Sequence, residues 1–102
     1  NMLKTGARLK SQVCTTQVIV VRASSDNVEL HCGGYPMVEL TETPREGLSI
    51  AAGFTEGTAI GKRYVDAGGV VEILATKAGT GSLALDGTVL TLKTAKPLPS
   101  SD

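Results

Sequence analysis

The sequence predicts an all-β protein made of two short β units in tandem, together forming one pseudo-dimeric domain. Three observations carry that expectation. Val, Ile and Thr number 26 of the 102 residues and come with 12 Gly, which suits short strands joined by tight turns better than helices. The apolar runs are only a few residues long and are bounded by Gly, Asp, Asn and Ser. The second half of the chain repeats the scheme of the first at a shift of 55. On this reading residues 1–40 are the first unit, 41–60 a connector, 61–95 the second unit and 96–102 a tail, all within one compact domain.

Taken in order, residues 2–10 read as a polar lead-in. Gln17 to Arg22 (QVIVVR) is a β-branched run, expected as a strand buried on both faces. A turn cluster at 23–27 sends the chain back as Val28 to His31, so the two runs are expected to form a hairpin. Met37 to Leu40 alternates apolar and polar residues, as an edge strand does. Residues 41–60 lack such alternation, and Leu48, Ile50 and Phe54 are its candidates for packing on the core. Val70 to Thr76 is the next strand, Ala78 to Gly81 its turn, and Ser82 to Leu85 the strand after it. Asp86-Gly87 is a strong turn signal, and Thr88 to Lys93 closes the unit. Pro97 and Pro99 keep the tail out of any central strand.

The repeat can be followed residue by residue. At a shift of 55, Gly6 meets Gly61, Arg8 meets Arg63, Leu9 meets Tyr64 and Arg22 meets Lys77. After a turn two residues longer in the first half, Leu30 meets Leu83, Gly34 meets Gly87 and Met37 meets Leu90.

Composition excludes several function classes. Ten basic and ten acidic residues give zero formal net charge, spread evenly, so there is no electrostatic footprint for nucleic acid or an anionic membrane. With no Trp and one Phe there is no stacking platform for single strands. No apolar run reaches the roughly 20 residues that span a bilayer. Asn1-Met2-Leu3-Lys4 carries no apolar signal core, and Asn1 ahead of Met2 reads as a vector remnant; the expected compartment is the cytoplasm. Two cysteines are too few for a disulfide framework or a complete zinc site.

The stretch Leu30-His31-Cys32-Gly33-Gly34-Tyr35-Pro36-Met37 resembles the closing motif of desulforedoxin and of the N-terminal domain of desulfoferrodoxin. Those small β domains of rubredoxin type hold iron through a Cys-x-x-Cys pair and a later Cys-Cys pair followed by Gly-x-x-Met. The resemblance places Ser11 and Cys14 at the first pair and Cys32 and Gly33 at the second, so two of the four thiolates are replaced. Gly34 and Met37 keep their positions. The second half fits the family's length from Tyr64 to Leu90 without a gap, with Asp66, Gly69, Leu85 and Asp86 at the ligand positions. Desulforedoxin is a homodimer, so a tandem copy implies a pseudo-dimer in one chain. With the ligands mostly gone, the expectation is a metal-free protein without cofactor.

Cys14 and Cys32 are the candidate site, as a redox-active dithiol, a disulfide, or part of a metal site completed by His31, Ser11 or a partner; two thiols buried as small hydrophobes are the competing reading. Their sulfurs are expected to lie close together. His31 could act as a general base, but no Gly-x-Ser-x-Gly or His-Glu-x-x-His motif supports catalysis. Asp66 and Asp86 are a conceivable carboxylate pair, although Asp86-Gly87 is more simply a turn. Gly79-Thr80-Gly81 lacks the Lys and helix of a phosphate cradle and reads as a turn too. Arg8 and Arg63 are expected as solvated charges or as partners of acids. The leading functional expectation is a non-catalytic binding or accessory module whose partner, a protein or a small molecule, is open, as is the oligomeric state. The alternative is a small redox protein using Cys14 and Cys32.

Overall fold

The computed structural model describes residues 3–23 and 28–93, and within them the chain is all-β. Residues 24–27 of the expected turn and the tail at 96–102 lie outside the described residues. Ten short strands are formed: β1 (Arg8–Lys10), β2 (Gln17–Arg22), β3 (Leu30–Cys32), β4 (Tyr35–Pro36), β5 (Val38–Glu39), β6 (Arg63–Val65), β7 (Glu72–Lys77), β8 (Leu83–Leu85), β9 (Thr88–Val89) and β10 (Thr91–Leu92). They make two antiparallel sheets. The larger has the order β10-β6-β7-β2-β1-β5 and the smaller β4-β3-β8-β9.

The long strands β2 and β7 lie side by side at the centre of the larger sheet, with Ile19 opposite Leu74. Register shifts flank that pair on both sides, between Gln17 and Val18 and between Val20 and Arg22. Such irregularities add local twist. In the smaller sheet β3 and β8 occupy the centre, with His31 opposite Ala84.

The two sheets share one core. Val18, Val20, Ile73 and Ala75 from the larger sheet join Leu30, Cys32 and Leu83 from the smaller in a single buried cluster. Each fully buried aliphatic side chain there contributes about 1.5–3 kcal/mol relative to exposure. Burial alternates along β2, so Val18 and Val20 are buried while Ile19 is only half so. The strand is therefore buried on one face, not on both as its unbroken apolar run suggested.

The expected hairpin between Gln17–Arg22 and Val28–His31 does not form. Both edges of β2 are taken, by β1 and by β7, so the returning chain crosses to the other sheet and pairs with β4 and β8. The supposed lead-in supplies β1, because Arg8 to Lys10 pairs with β2 and β5. Tyr35 and Pro36 also form a strand, where Pro is tolerated because β4 is an edge.

Residues 41–60 contain no helix and no strand beyond a bridge between Thr58 and Gly79. The segment is fastened across the ends of β3 and β8. The Ala51 N–H donates to the Gly33 carbonyl (2.9 Å), the Ser82 N–H to the Phe54 carbonyl (2.9 Å), and the Glu56 N–H to the Ser82 hydroxyl (2.8 Å).

Candidate functional site

The β1–β2 loop is shaped by Ser11. Its N–H donates to the Thr16 carbonyl at 2.9 Å, closing the loop, while its hydroxyl oxygen accepts the N–H of Val13 (3.0 Å) and of Cys14 (3.1 Å). A small polar side chain that bonds the backbone two and three residues on is the usual way to hold such a turn. The turn delivers Cys14, half-buried, to one end of the two-sheet sandwich.

Cys32 arrives from the other sheet. It ends β3, is fully buried, and is followed by Gly33, whose N–H donates to the Ser82 carbonyl at 3.0 Å. Its sulfur lies 3.8 Å from that of Cys14. The two expected partners are thus brought together, though not by the hairpin that was expected to do so. Both are free thiols.

Three further residues complete the surroundings, and the sequence reading missed all of them. Thr16, fully buried, places its Oγ1 3.3 Å from the Cys14 sulfur, and the Cys14 thiol donates to it. The Gly81 N–H donates to the same sulfur at 3.4 Å. Gly79 packs against the Thr16 backbone and the Cys14 sulfur: a Cβ built on it would stand 2.6 Å and 2.9 Å from them. The available signal was Gly79-x-Gly81, two glycines within three residues in a segment that needs only one tight turn. Their second purpose is the close approach of backbone to sulfur.

The two thiols differ electrostatically. Burial pushes the Cys14 thiol up, but the Ser11 and Thr16 hydroxyls and the N–H groups of Thr16 and Gly81 outweigh it and bring the thiol down to about 7. Burial pushes Cys32 up to about 12, and the charge on Cys14 adds to the rise. The first proton lost from the pair therefore leaves Cys14.

The four-ligand iron site implied by the resemblance does not fit these residues. Ser11 already accepts two backbone N–H groups, and Gly33 has no side chain. A Cβ on Gly33 would meet Val13 Cγ2 at 2.6 Å, so the position has no room for a ligand. Among the described residues no group of three or more His, Cys, Asp or Glu side chains converges. His31 does not turn toward the sulfurs. It lies between the buried Leu30 and Cys32 on β3, hence on the opposite face, and its Nε2 pairs with Glu29 Oε1 at 2.7 Å.

The other candidates are accounted for by local structure. Asp66 Oδ1 accepts the Val71 N–H and Asp86 Oδ1 the Glu29 N–H, each at 3.0 Å. Asp86 has φ of 47°, as the turn preceding β9 requires. Arg63 pairs with Glu72 at 2.8 Å, and Lys93 reaches the same carboxylate at 2.9 Å. Arg8 makes no ion pair among the described residues. A trough of about 1080 Å³ between the first-half edges of the two sheets is lined by Leu3, Arg8, Gln12, Glu29, Met37 and Arg45 among others, and neither cysteine borders it. It is open to solvent, and its lining mixes Lys4, Arg8 and Arg45 with Glu29, Glu39 and Glu42, so it favours no sign of ligand.

Comparison with protein-family models, with curated proteins and with solved structures finds no match. Among the described residues no helix is long and apolar enough to cross a membrane.

Proposed function

We propose that the protein is a small thiol redox protein in which Cys14 and Cys32 cycle between dithiol and disulfide. The observation that carries this reading is the 3.8 Å separation of two free sulfurs, one half-exposed and readily ionised, the other fully buried and held protonated. A low-lying, accessible thiol beside a resolving thiol is the arrangement that redox cysteines use. Two buried thiols serving only as apolar filling would not need the hydroxyls and amide aimed at Cys14. The accessory-module reading has only the open, mixed-charge trough in its support.

In the cycle the Cys14 thiolate attacks an electron acceptor such as a disulfide, forming a mixed disulfide and releasing one thiol. Cys32 then gives up its proton and attacks Cys14, so that one S–S bond forms, a second thiol leaves, and two electrons have passed to the acceptor. Closing the bond asks the sulfurs to approach from 3.8 Å to about 2.05 Å. A pair of this kind works where a thiol pool can reduce it again, which fits the cytoplasm.

The same reading treats the chain as two desulforedoxin-like units in tandem, the first of which has turned its metal positions into a dithiol. In its support, the strands before residue 40 and after residue 60 have the same lengths in the same order. Exchanging β1, β2 and β5 for β6, β7 and β10 reverses the order of the larger sheet without altering it.

The experiment is equilibration of the protein in buffers of defined dithiothreitol redox ratio, followed by alkylation and intact mass. A cooperative two-electron transition confined to Cys14 and Cys32 is expected. Thiols that stay reduced across the whole range overturn the reading.

A further inference from the structure

We infer that the oxidant this dithiol is built to take is a small hydroperoxide, with Cys14 as the attacking sulfur, Cys32 as the resolving sulfur, and the Ser11 and Thr16 hydroxyls as donors to the departing oxygen. The inference rests on the dithiol reading above and adds the class of oxidant to it.

Access favours a small oxidant. The Cys14 sulfur is hemmed in by Thr16 Oγ1 at 3.3 Å, the Gly81 amide at 3.4 Å and Cys32 at 3.8 Å, with the Gly79 backbone packed against it. Thr16, Gly81 and Cys32 are all buried. A disulfide acceptor must align its two sulfurs, each carrying a substituent, with the Cys14 sulfur, and exchange rates depend strongly on such access. Two oxygen atoms need far less room.

Proton supply favours the same class of oxidant. A hydroxyl has one proton to give and two lone pairs to receive with. Both lone pairs of Ser11 are engaged, by the N–H groups of Val13 and Cys14, and the residue is only 4% exposed. Its proton is left free, and the Ser11 hydroxyl is among the groups that favour ionisation of the Cys14 thiol. Thr16 offers a second hydroxyl to the same sulfur once that sulfur is ionised. Breaking an O–O bond expels hydroxide or alkoxide, a far stronger base than a thiolate, so donors beside the attacking sulfur favour a peroxide over a disulfide.

Cys32 provides the resolving step. In the first step the Cys14 thiolate bonds one peroxide oxygen, the O–O bond breaks, and the other oxygen leaves as water or an alcohol with a proton relayed through the hydroxyls from solvent. Cys14 becomes a sulfenic acid. Cys32 then attacks that sulfur, the S–O bond breaks, and water leaves with the Cys32 proton. One hydroperoxide has been reduced and two thiols oxidised. With Cys32 already 3.8 Å away, the second step needs no unfolding.

The test uses the reduced full chain at pH 7, mixed with hydrogen peroxide, tert-butyl hydroperoxide or oxidised glutathione, quenched by alkylation and read by intact mass. Oxidation by the peroxides is expected to be roughly tenfold or more faster than that of free cysteine at equal thiolate concentration, and faster than oxidation by oxidised glutathione. Cys32→Ser should accumulate a dimedone-reactive sulfenic acid on Cys14. Thr16→Val should slow the peroxide step while leaving iodoacetamide alkylation per thiolate unchanged, and Thr16→Ser should restore it. A peroxide rate no better than that of free thiolate, or a preference for oxidised glutathione, overturns the inference. If the disulfide still forms in dithiothreitol buffers, only this inference has failed; if it forms nowhere, the dithiol reading has failed with it. Should Thr16→Val not fold, the native rates and the Cys32→Ser trapping still decide.

Discussion

Gly79 is packed so closely on Cys14 that a Cβ added to it would stand 2.9 Å from the sulfur, and closer still to the Thr16 hydroxyl. The β7–β8 link and the β1–β2 loop are thus fitted to each other through a position with no side chain. Gly79→Ala should destabilise the protein by about 1–3 kcal/mol, since the obstacles include backbone that cannot swing aside. Gly68→Ala, whose Cβ would meet only a Val70 methyl at 3.7 Å, should change stability by no more than about 0.5 kcal/mol. Urea denaturation of the two variants compares them directly, and equal stabilities would contradict the packing described.

The ionisation of Cys14 predicts a pH profile. Iodoacetamide reacts with thiolate, so the alkylation rate should rise with pH and inflect at about 7, below the value of about 8.5 for a free cysteine. Ser11→Ala removes one of the hydroxyls that lower the thiol and should move the inflection upward. Cys32 should remain unmodified in the folded protein across this range, because it is both buried and held protonated. Site-resolved mass spectrometry separates the two cysteines.

Ile73 is fully buried at the junction of the two sheets and lies opposite Val20. Ile73→Ala should cost about 2–5 kcal/mol, the usual range for emptying such a site. Leu92→Ala, at a residue half-exposed on the edge strand β10, should cost much less. Denaturant midpoints measure both, and a mild effect at Ile73 would mean that the sheets do not share one core.

Glu72 is buried between Arg63 and Lys93, whose hydrogen bonds hold its carboxyl below the ordinary carboxylate range. A group lowered on folding stabilises the protein above its unfolded value, and that contribution is lost as the pH falls through the folded one. Native protein should therefore be more stable than Glu72→Gln at neutral pH, and the difference should shrink once the pH drops below about 4, the range of a free Glu. Thermal melts from pH 7 down to pH 2.5 would show the convergence. A gap independent of pH would mean that shape, not charge, matters at this position.

How much of this could be read from residues alone differs by level. The strands at Gln17–Arg22 and near Val70–Thr76 were legible because β-branched runs bounded by turn residues have few alternatives. The strands Arg8–Lys10 and Tyr35–Pro36 were not, since three polar-looking residues or a Tyr-Pro pair acquire strand character only when a neighbour offers an edge. For the site, Cys14 and Cys32 stood out by rarity and by the motif around Cys32. Thr16, Gly79 and Gly81 carried no comparable mark, because a buried threonine and a tight glycine turn have many commoner uses.

By itself the sequence determined that this chain forms short strands and tight turns, that Cys32 and His31 point to opposite faces of one strand, and that two thiols are its only thiolate donors. These are local matters, set by β-branching, by glycine and by the two-residue period of a strand. Tertiary structure alone decided that β2 and β3 belong to different sheets, because pairing goes to whichever edge is free, and β2 had none left. It also decided that one sulfur ionises easily and the other resists. Both are the same chemical group, and what separates them is burial and hydrogen-bond donors, among them an amide 67 residues from Cys14 that only the folded chain brings to that sulfur.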